Sequence, residues 1–330
     1  MGEERPYGSY FLLASWKWWS WKSTTSTSFA RYLFKSWKNT IFADADINVN
    51  WLQILWFNLE NFPYLSENQS KINDYTFWKR KDVSKDKYLW ITPVSELSNL
   101  YRFDSNEIQN ITQKNPDGLV AMWIWAYNEN EIWFTCYHWK SDSFVWFLNH
   151  LLDDKDDYLV VDSVTGIDNT GTPLAYSYHL NVLVVEPTKK SIWVCTDFKI
   201  ALDKNNISSN ICVIWNKIES KEDEEFIKEN IWDIKYLWSL SFSESMKDFD
   251  QWDKESFDKF VMENSNLYDS ILEYAHSLEF DWNIYYSYMY SYFDKMCQDY
   301  YNDYFKIKLQ EWVTEKLDYK TLRENELSKY

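Results

Sequence analysis

Residues 16–23 read Trp-Lys-Trp-Trp-Ser-Trp-Lys-Ser, between the apolar run Tyr10–Ser15 and a helix-length segment that begins at Lys22. With glycine in place of Trp16, Trp18, Trp19 and Trp21, the stretch satisfies G-x-x-x-x-G-K-[ST]. In that loop backbone N–H groups cradle phosphates, the last lysine neutralises them and the following hydroxyl serves Mg²⁺. The phosphate-binding set is then Trp16, Lys17, Trp18, Trp19, Ser20, Trp21, Lys22, Ser23 and Thr24. With indoles at the glycine positions, the backbone can neither take positive φ without strain nor approach a ligand closely.

The exchange extends beyond the loop. The chain has 21 Trp and only 5 Gly in 330 residues. Together the two make up about 8% of the chain, close to the ~7% that glycine alone holds in ordinary proteins. Trp37 stands where a helix running through Ser36 would place its left-handed C′ residue, ahead of the apolar run Thr40-Ile41-Phe42-Ala43. Trp215 closes the run Ile211–Ile214, just before Asn216-Lys217. These positions argue for a gene in which UGA specifies glycine and has been read as tryptophan. The competing reading is a Trp-rich binding module whose exposed indoles stack on a ligand such as a carbohydrate. It requires all 21 codons to be UGG.

Length and charge narrow the function. A chain of 330 residues can hold one large α/β domain with an appendage. A net charge of −17 argues against a nucleic-acid partner, because phosphate backbones want a basic surface. The four cysteines, Cys136, Cys195, Cys212 and Cys297, form no paired pattern, so reduced thiols and a cytoplasmic location are expected. The N-terminus has no secretory h-region and no 18-residue apolar stretch follows, so no membrane span is expected.

Short apolar runs alternate with helix-length segments, which predicts βαβ units. The expected strands are Tyr10–Ser15, Thr40–Asp44, Tyr88–Val94, Leu119–Ala126, Tyr158–Asp162, Asn181–Glu186, Ile211–Trp215 and Lys235–Ser239. Helices are expected over Lys22–Ser36, Ser141–Leu152, Ser191–Lys204 and Lys221–Asn230, and Asn58–Lys87 reads as a polar, irregular insertion. The predicted class is α/β: a P-loop NTPase three-layer sandwich with a mostly parallel central sheet. Residues 1–264 would form the ATPase domain, and the Tyr-rich residues 265–330 a helical C-terminal extension.

Lys17 directly follows the first glycine position of the loop. Lys17-Trp18-Trp19-Ser20-Trp21-Lys22-Ser23 therefore resembles the deviant Walker A loop, K-G-G-x-G-K-[ST], of the MinD/ParA family of dimerising ATPases. The resemblance implies ATP and Mg²⁺ as cofactors and a homodimer formed around ATP. Lys17 would reach across to the partner's nucleotide, and Lys22 would serve the phosphates in its own subunit. Asp44-Ala45-Asp46 matches the family's Asp-x-Asp, with Asp46 placing the attacking water. Asp162, ahead of Ser163-Val164-Thr165-Gly166, would act on Mg²⁺ together with Ser23, and Asn216-Lys217 would recognise the base.

Within the family, Val120–Ala126, Glu131–Lys140, Asp157–Asp168 and Val184–Ser191 resemble the CooC-like accessory ATPases of carbon monoxide dehydrogenase, which help to insert nickel. That implies a metalloenzyme client. Where those proteins carry Cys-x-Cys, this chain has Phe134-Thr135-Cys136, so the first cysteine is absent. Cys136 and His138 remain as a candidate metal pair. The alternative within the family is a ParA/MinD-type partition or positioning ATPase.

Overall fold

In the computed structural model, the described residues are 9–15, 21–46, 51–76, 94, 98–124, 137–164, 166, 170, 173–204, 210–231, 233–240, 245, 253–300 and 319–329. They form β1 (Ser9–Ser15), α1 (Lys22–Lys35), β2 (Asn39–Asp44), α2 (Gln69–Thr76), β3 (Tyr101–Arg102), α3 (Asn106–Gln109), β4 (Gln113–Lys114) and β5 (Val120–Trp123). Then follow α4 (Tyr137–His150), β6 (Leu151–Leu152), β7 (Asp157–Asp162), β8 (Leu180–Val185), α5 (Lys189–Asp203), β9 (Ile211–Trp215), α6 (Lys221–Asn230) and β10 (Lys235–Ser239). The last described elements are the helices α7 (Lys254–Glu263), α8 (Ser265–Ser277), α9 (Trp282–Tyr300) and α10 (Tyr319–Leu327).

Contacts divide the chain into two compact units. The first gathers Met1–Phe62, Gln113–Met122 and Lys155–Glu279. It is built on a sheet of order β10-β9-β8-β1-β7-β2-β5-β4. The recorded pairings among β1, β2, β7, β8, β9 and β10 are parallel, and β4 runs antiparallel to β5. Every residue of β7, β8 and β9 is buried, as continuous apolar runs covered on both faces require. From β1 the chain crosses over β7 to reach β2, while β8 and β9 lie on the other side of β1. The strand order therefore reverses at β1, the point where open α/β sheets place their ligands.

α1 packs against β1, β2 and β7. Its first half, Lys22-Ser-Thr-Thr-Ser-Thr-Ser28, is buried despite being poor in strong helix formers. Small side chains let the helix approach the sheet, and their hydroxyls bond back to carbonyls one turn earlier: Thr25 to Trp21 at 2.8 Å, Thr27 to Ser23 at 2.7 Å, Ser28 to Thr24 at 2.6 Å. Tyr268 of α8 donates to Ser28 at 2.6 Å, and α8 also packs on β10.

The second unit gathers Pro63–Thr112, Trp123–Asp154 and Phe280–Tyr330. Here β3 pairs in parallel with β6. Tyr101 donates to the Ile72 carbonyl at 2.6 Å, and the Trp146 indole donates to Thr76 Oγ1 at 3.3 Å. Arg323 of α10 donates to the Leu151 carbonyl at 2.8 Å and pairs with the buried Asp153.

Several expected boundaries shift. Leu151-Leu152 leaves the expected helix to become β6, and α4 begins four residues earlier than its first buried serine, Ser141. The stretch read as an irregular insertion contains α2, and its sparse apolar residues Phe62, Leu65 and Ile72 are buried. A few well-spaced anchors suffice to fold a polar segment, and composition averages hide them. The expected strand Tyr88–Val94 lies outside the described residues except for Val94.

Five non-glycine residues have positive φ among the described residues, and three of them are tryptophan: Trp21 (φ 60), Trp37 (φ 62) and Trp56 (φ 61). Trp37 is the C′ residue of a Schellman motif: its N–H bonds to Phe34 O and that of Lys38 to Leu33 O, both at 3.1 Å. Trp56 repeats the pattern after the 3₁₀ turn Leu52–Leu55, with Trp56 N to Gln53 O at 2.9 Å and Phe57 N to Leu52 O at 3.1 Å. Glycine takes this conformation without a Cβ penalty of about 1–2 kcal/mol. Trp215, by contrast, lies in regular strand, buried and stacked on Tyr236 at 3.8 Å, so its backbone makes no demand for glycine.

Trp37 is 95% exposed, so Trp37→Gly relieves αL strain and loses almost no packing. It should raise stability by about 1 kcal/mol in denaturant unfolding at an unchanged m-value. Trp56 lies under Lys254 (4.9 Å) and Arg31 (5.8 Å), so Trp56→Gly should gain less. A loss of stability in Trp37→Gly would contradict the left-handed assignment.

Candidate active site

The carboxyl ends of β1, β2 and β7 meet at the start of α1. Register pairs Asp44 with Asp162 across β2 and β7, and Leu13 with Asp162 across β1 and β7. The N–H of Ala45 donates to Asp162 O at 2.9 Å, which extends that alignment one residue past β2. Three aspartates from two strand ends thus surround the first residue of α1.

Lys22 is 1% exposed. Its Nζ lies 2.6 Å from Asp162 Oδ1 and 3.4 Å from Asp46 Oδ2, and donates to the Ser163 carbonyl as well. Burial raises the Asp162 carboxyl above its ordinary range, and Lys22 opposes that rise while the Asp46 charge adds to it. Asp44 is pushed well above the ordinary carboxylate range, first by burial and then by the Asp162 charge. The Trp51 N–H and Lys22 act on it the other way.

The two aspartates of Asp44-Ala45-Asp46 do different work. Asp44 Oδ1 accepts from the Asp46 N–H at 3.1 Å, and Oδ2 from the Trp51 N–H at 3.0 Å. Both its oxygens are committed to holding the backbone that carries Asp46. Asp46 itself turns a carboxylate oxygen to Lys22.

The N-terminus of α1 differs from those of α5, α6 and α7, though not from that of α8, which likewise has no side-chain cap and no acidic residue in its first turn. Helices α5, α6 and α7 are each capped by a side chain, from Thr188, Ser220 and Asp253. At α1 the cap residue is Trp21, no side chain caps, and the first turn has no acidic residue. Uncapped N–H groups and the positive end of the helix dipole form a site for an anion such as phosphate. Trp16, Lys17, Trp18, Trp19 and Ser20 lie outside the described residues, so only the helical half of the loop, with Ser23 and Thr24 buried in it, is placed.

Magnesium fits the residues present. Among the described residues, no donor meets the buried Asp162 Oδ2 in hydrogen-bonding geometry, and the Ser23 hydroxyl acts to hold the same carboxyl down. One carboxylate and one hydroxyl, completed by phosphate oxygens and water, is the donor set Mg²⁺ takes in nucleotide sites.

A second cluster sits at the ends of β8 and β9. Asn216 is fully buried; its N–H donates to Val185 O at 2.8 Å, and its Oδ1 accepts from the Lys217 N–H at 2.9 Å. Lys217 has φ 57, and its Nζ pairs with Glu186 at 2.7 Å. Glu186 was not singled out by the sequence. Its signal was its place in Val184–Ser191, immediately after β8. Cys136 lies outside the described residues, and His138 is placed only as part of the α4 backbone. Among the described residues, no group of three or more His, Cys, Asp or Glu is arranged to hold a metal ion. No helix among them is long and apolar enough to cross a membrane.

No family model matches the chain. Over 84 residues it is 33% identical to an uncharacterized ATP-binding protein of Methanocaldococcus jannaschii, a match covering 26% of this chain and about a third (32%) of that protein. Among solved structures, it resembles a ParA family ATPase from Chlorobium tepidum (TM-score 0.53, 14% identity, 82% of this chain and 99% of that one). It also resembles McdA of Cyanothece, solved as an ATP complex (0.54, 15%, 84% and 100%). The cell division ATPase MinD of Pyrococcus furiosus is similar to the same degree (0.52, 13%, 81% and 99%). The α/β fold with a mostly parallel sheet is thus that of the ParA/MinD P-loop ATPases.

Proposed function

We propose that this protein is a Mg²⁺-dependent ATPase of the ParA/MinD kind, which dimerises around ATP and works as a molecular switch. The observation that carries the reading is the convergence of Lys22, Asp46 and Asp162 at the carboxyl edge where the strand order reverses, ahead of an uncapped helix N-terminus. Lys22 and the α1 N–H groups would take the phosphates, Ser23 and Asp162 the magnesium, Asp46 the attacking water, and Asn216-Lys217 the base. A magnesium ion held by Ser23 and Asp162 would supply charge neutralisation for the phosphates.

The reading requires glycine at positions 16, 18, 19 and 21, and hence UGA read as glycine across the gene. Support comes from Trp21, Trp37 and Trp56 at left-handed positions, in a chain short of glycine. The solved relatives named for their role are cell division and ParA-type proteins, which favours a positioning or partition switch over metalloenzyme maturation. The Cys136–His138 pair gains no support from them.

Two lysine substitutions separate the expected roles in the glycine form of the protein. Lys22→Ala should abolish nucleotide binding. Lys17→Ala should keep most of it yet lose ATP-dependent dimerisation and hydrolysis, since its target is the partner's phosphate. Sedimentation with a non-hydrolysable ATP analogue decides; an unsubstituted glycine form that stays monomeric with the analogue would contradict the switch.

A further inference from the structure

A cavity of about 590 Å³ in the second unit is lined by Lys71, Asp74, Tyr75, Asn99 and Glu107, all within Pro63–Thr112. Lys71, Asp74 and Tyr75 are three and four residues apart on α2, so they share one face of that helix. The Tyr75 ring rests on that of Tyr101, with centroids 4.8 Å apart. Asn99 donates its N–H to Thr76 O at 2.9 Å and its Nδ2–H to Tyr75 O at 2.8 Å, which fixes the side chain and leaves Oδ1 as an acceptor. Lys71 Nζ is bonded to Asn68 Oδ1 at 3.0 Å. Glu107, on α3, is half-buried, and among the described residues no cation or N–H donor bonds its carboxylate. Burial raises the Tyr101 phenol, and the Glu107 charge adds to that rise, so this carboxylate acts on the core. The other half-buried carboxylates among the described residues each have a partner: Asp117 and Asp258 on Arg31, Glu224 on Lys228, Glu326 on Lys329, and Asp223 on the Ser220 N–H.

We infer that this cavity is a docking site for an arginine side chain on an extended segment of a partner protein. Its lining carries one positive and two negative side chains, Lys71 against Asp74 and Glu107, so one added cation balances it. A carboxylate partly withdrawn from water gains most from a charge-assisted pair. A guanidinium presents five donors in one plane, enough to serve Glu107 and Asn99 Oδ1 together, and it stacks on aromatic faces such as that of Tyr75. The cavity is open to solvent and larger than a guanidinium head, which leaves room for the residues that flank the arginine. The net charge of −17 draws a basic segment toward the protein from a distance. None of the five lining residues is tryptophan, and none belongs to the proposed nucleotide site. The docking site therefore depends neither on the ATPase reading nor on which residue occupies the tryptophan positions.

The test uses the full-length protein and two acetylated tripeptide amides, Ala-Arg-Ala and Ala-citrulline-Ala, which have nearly the same shape and differ by one charge. In titration calorimetry at low salt, the arginine peptide should bind at least ~10-fold more tightly than the citrulline peptide. Glu107→Gln should weaken its binding at least ~5-fold, whereas Lys71→Ala, which removes a like charge, should strengthen it about 2-fold. Glu225→Gln, on an exposed position of α6, removes the same unit of charge elsewhere and should leave the affinity unchanged. Carbodiimide coupling of glycine ethyl ester to carboxylates, mapped by mass spectrometry, gives a second readout. The bound arginine peptide should protect Glu107 several-fold, and the citrulline peptide should not. That footprint is read in the unsubstituted protein, so it decides even if Glu107→Gln fails to fold. Equal affinities for the two peptides, an unprotected Glu107, or the same loss in Glu225→Gln as in Glu107→Gln would overturn the site, leaving only a general attraction of cations to an acidic surface.

Discussion

The protein with glycine at the 21 tryptophan positions should bind Mg-ATP, whereas the chain with tryptophan there should not. Trp21, at φ 60, immediately precedes Lys22, and a non-glycine residue held in a sparsely populated region costs about 1–3 kcal/mol. Strain that Trp21 already bears without nucleotide weakens the fold, and each further position that must turn to positive φ on binding would lower affinity by roughly 5- to 150-fold, at 1.4 kcal/mol per tenfold. The larger effect is steric, because backbone N–H groups must close on phosphate oxygens and indoles at 16, 18, 19 and 21 would occupy that space. Titration of both forms with ATP and Mg²⁺ reads the difference. Equal affinities would remove the ground for reading these tryptophans as glycine.

Asp46→Ala should leave Mg-ATP binding intact, slow hydrolysis on the order of 10²-fold or more, and trap the ATP-bound dimer. Placing a water and accepting its proton act on the chemical step, not on binding. Asp44→Ala should cost less in rate, because Asp44 spends both oxygens on the N–H groups of Asp46 and Trp51 and reaches the chemistry only through the backbone it holds. Its expected signature is a less stable protein with a partly retained rate. Single-turnover hydrolysis of the two variants ranks them. An inactive Asp44→Ala beside an active Asp46→Ala would show that the roles are reversed.

Much of this site is legible in the order of residues. A lysine after a phosphate-loop pattern, then Asp-x-Asp, then an aspartate closing an apolar run, are each tied to a strand end, and strand ends follow from short runs of Val, Ile and Leu. The sheet brings Lys22, Asp46 and Asp162 together, although they are far apart in the chain. What the sequence conceals depends on backbone angles and pairing. Trp56 looks like one aromatic among many until its φ of 61 places it beside Trp21 and Trp37. Trp215 looks like a companion of Trp37, yet its regular strand backbone makes no demand for glycine. Glu186 gains meaning only when parallel pairing of β8 with β9 brings it to Lys217. Nor does composition show that α2, rich in polar residues, carries Ile72 into a core.

Everything proposed for the phosphate loop depends on which residue the cell places at positions 16, 18, 19 and 21. The direct measurement is tandem mass spectrometry of the peptide spanning residues 16–22 in protein isolated from its native source. Glycine at those four positions is the predicted result. Tryptophan there would contradict the account, leaving an ATPase fold whose loop cannot close on a phosphate.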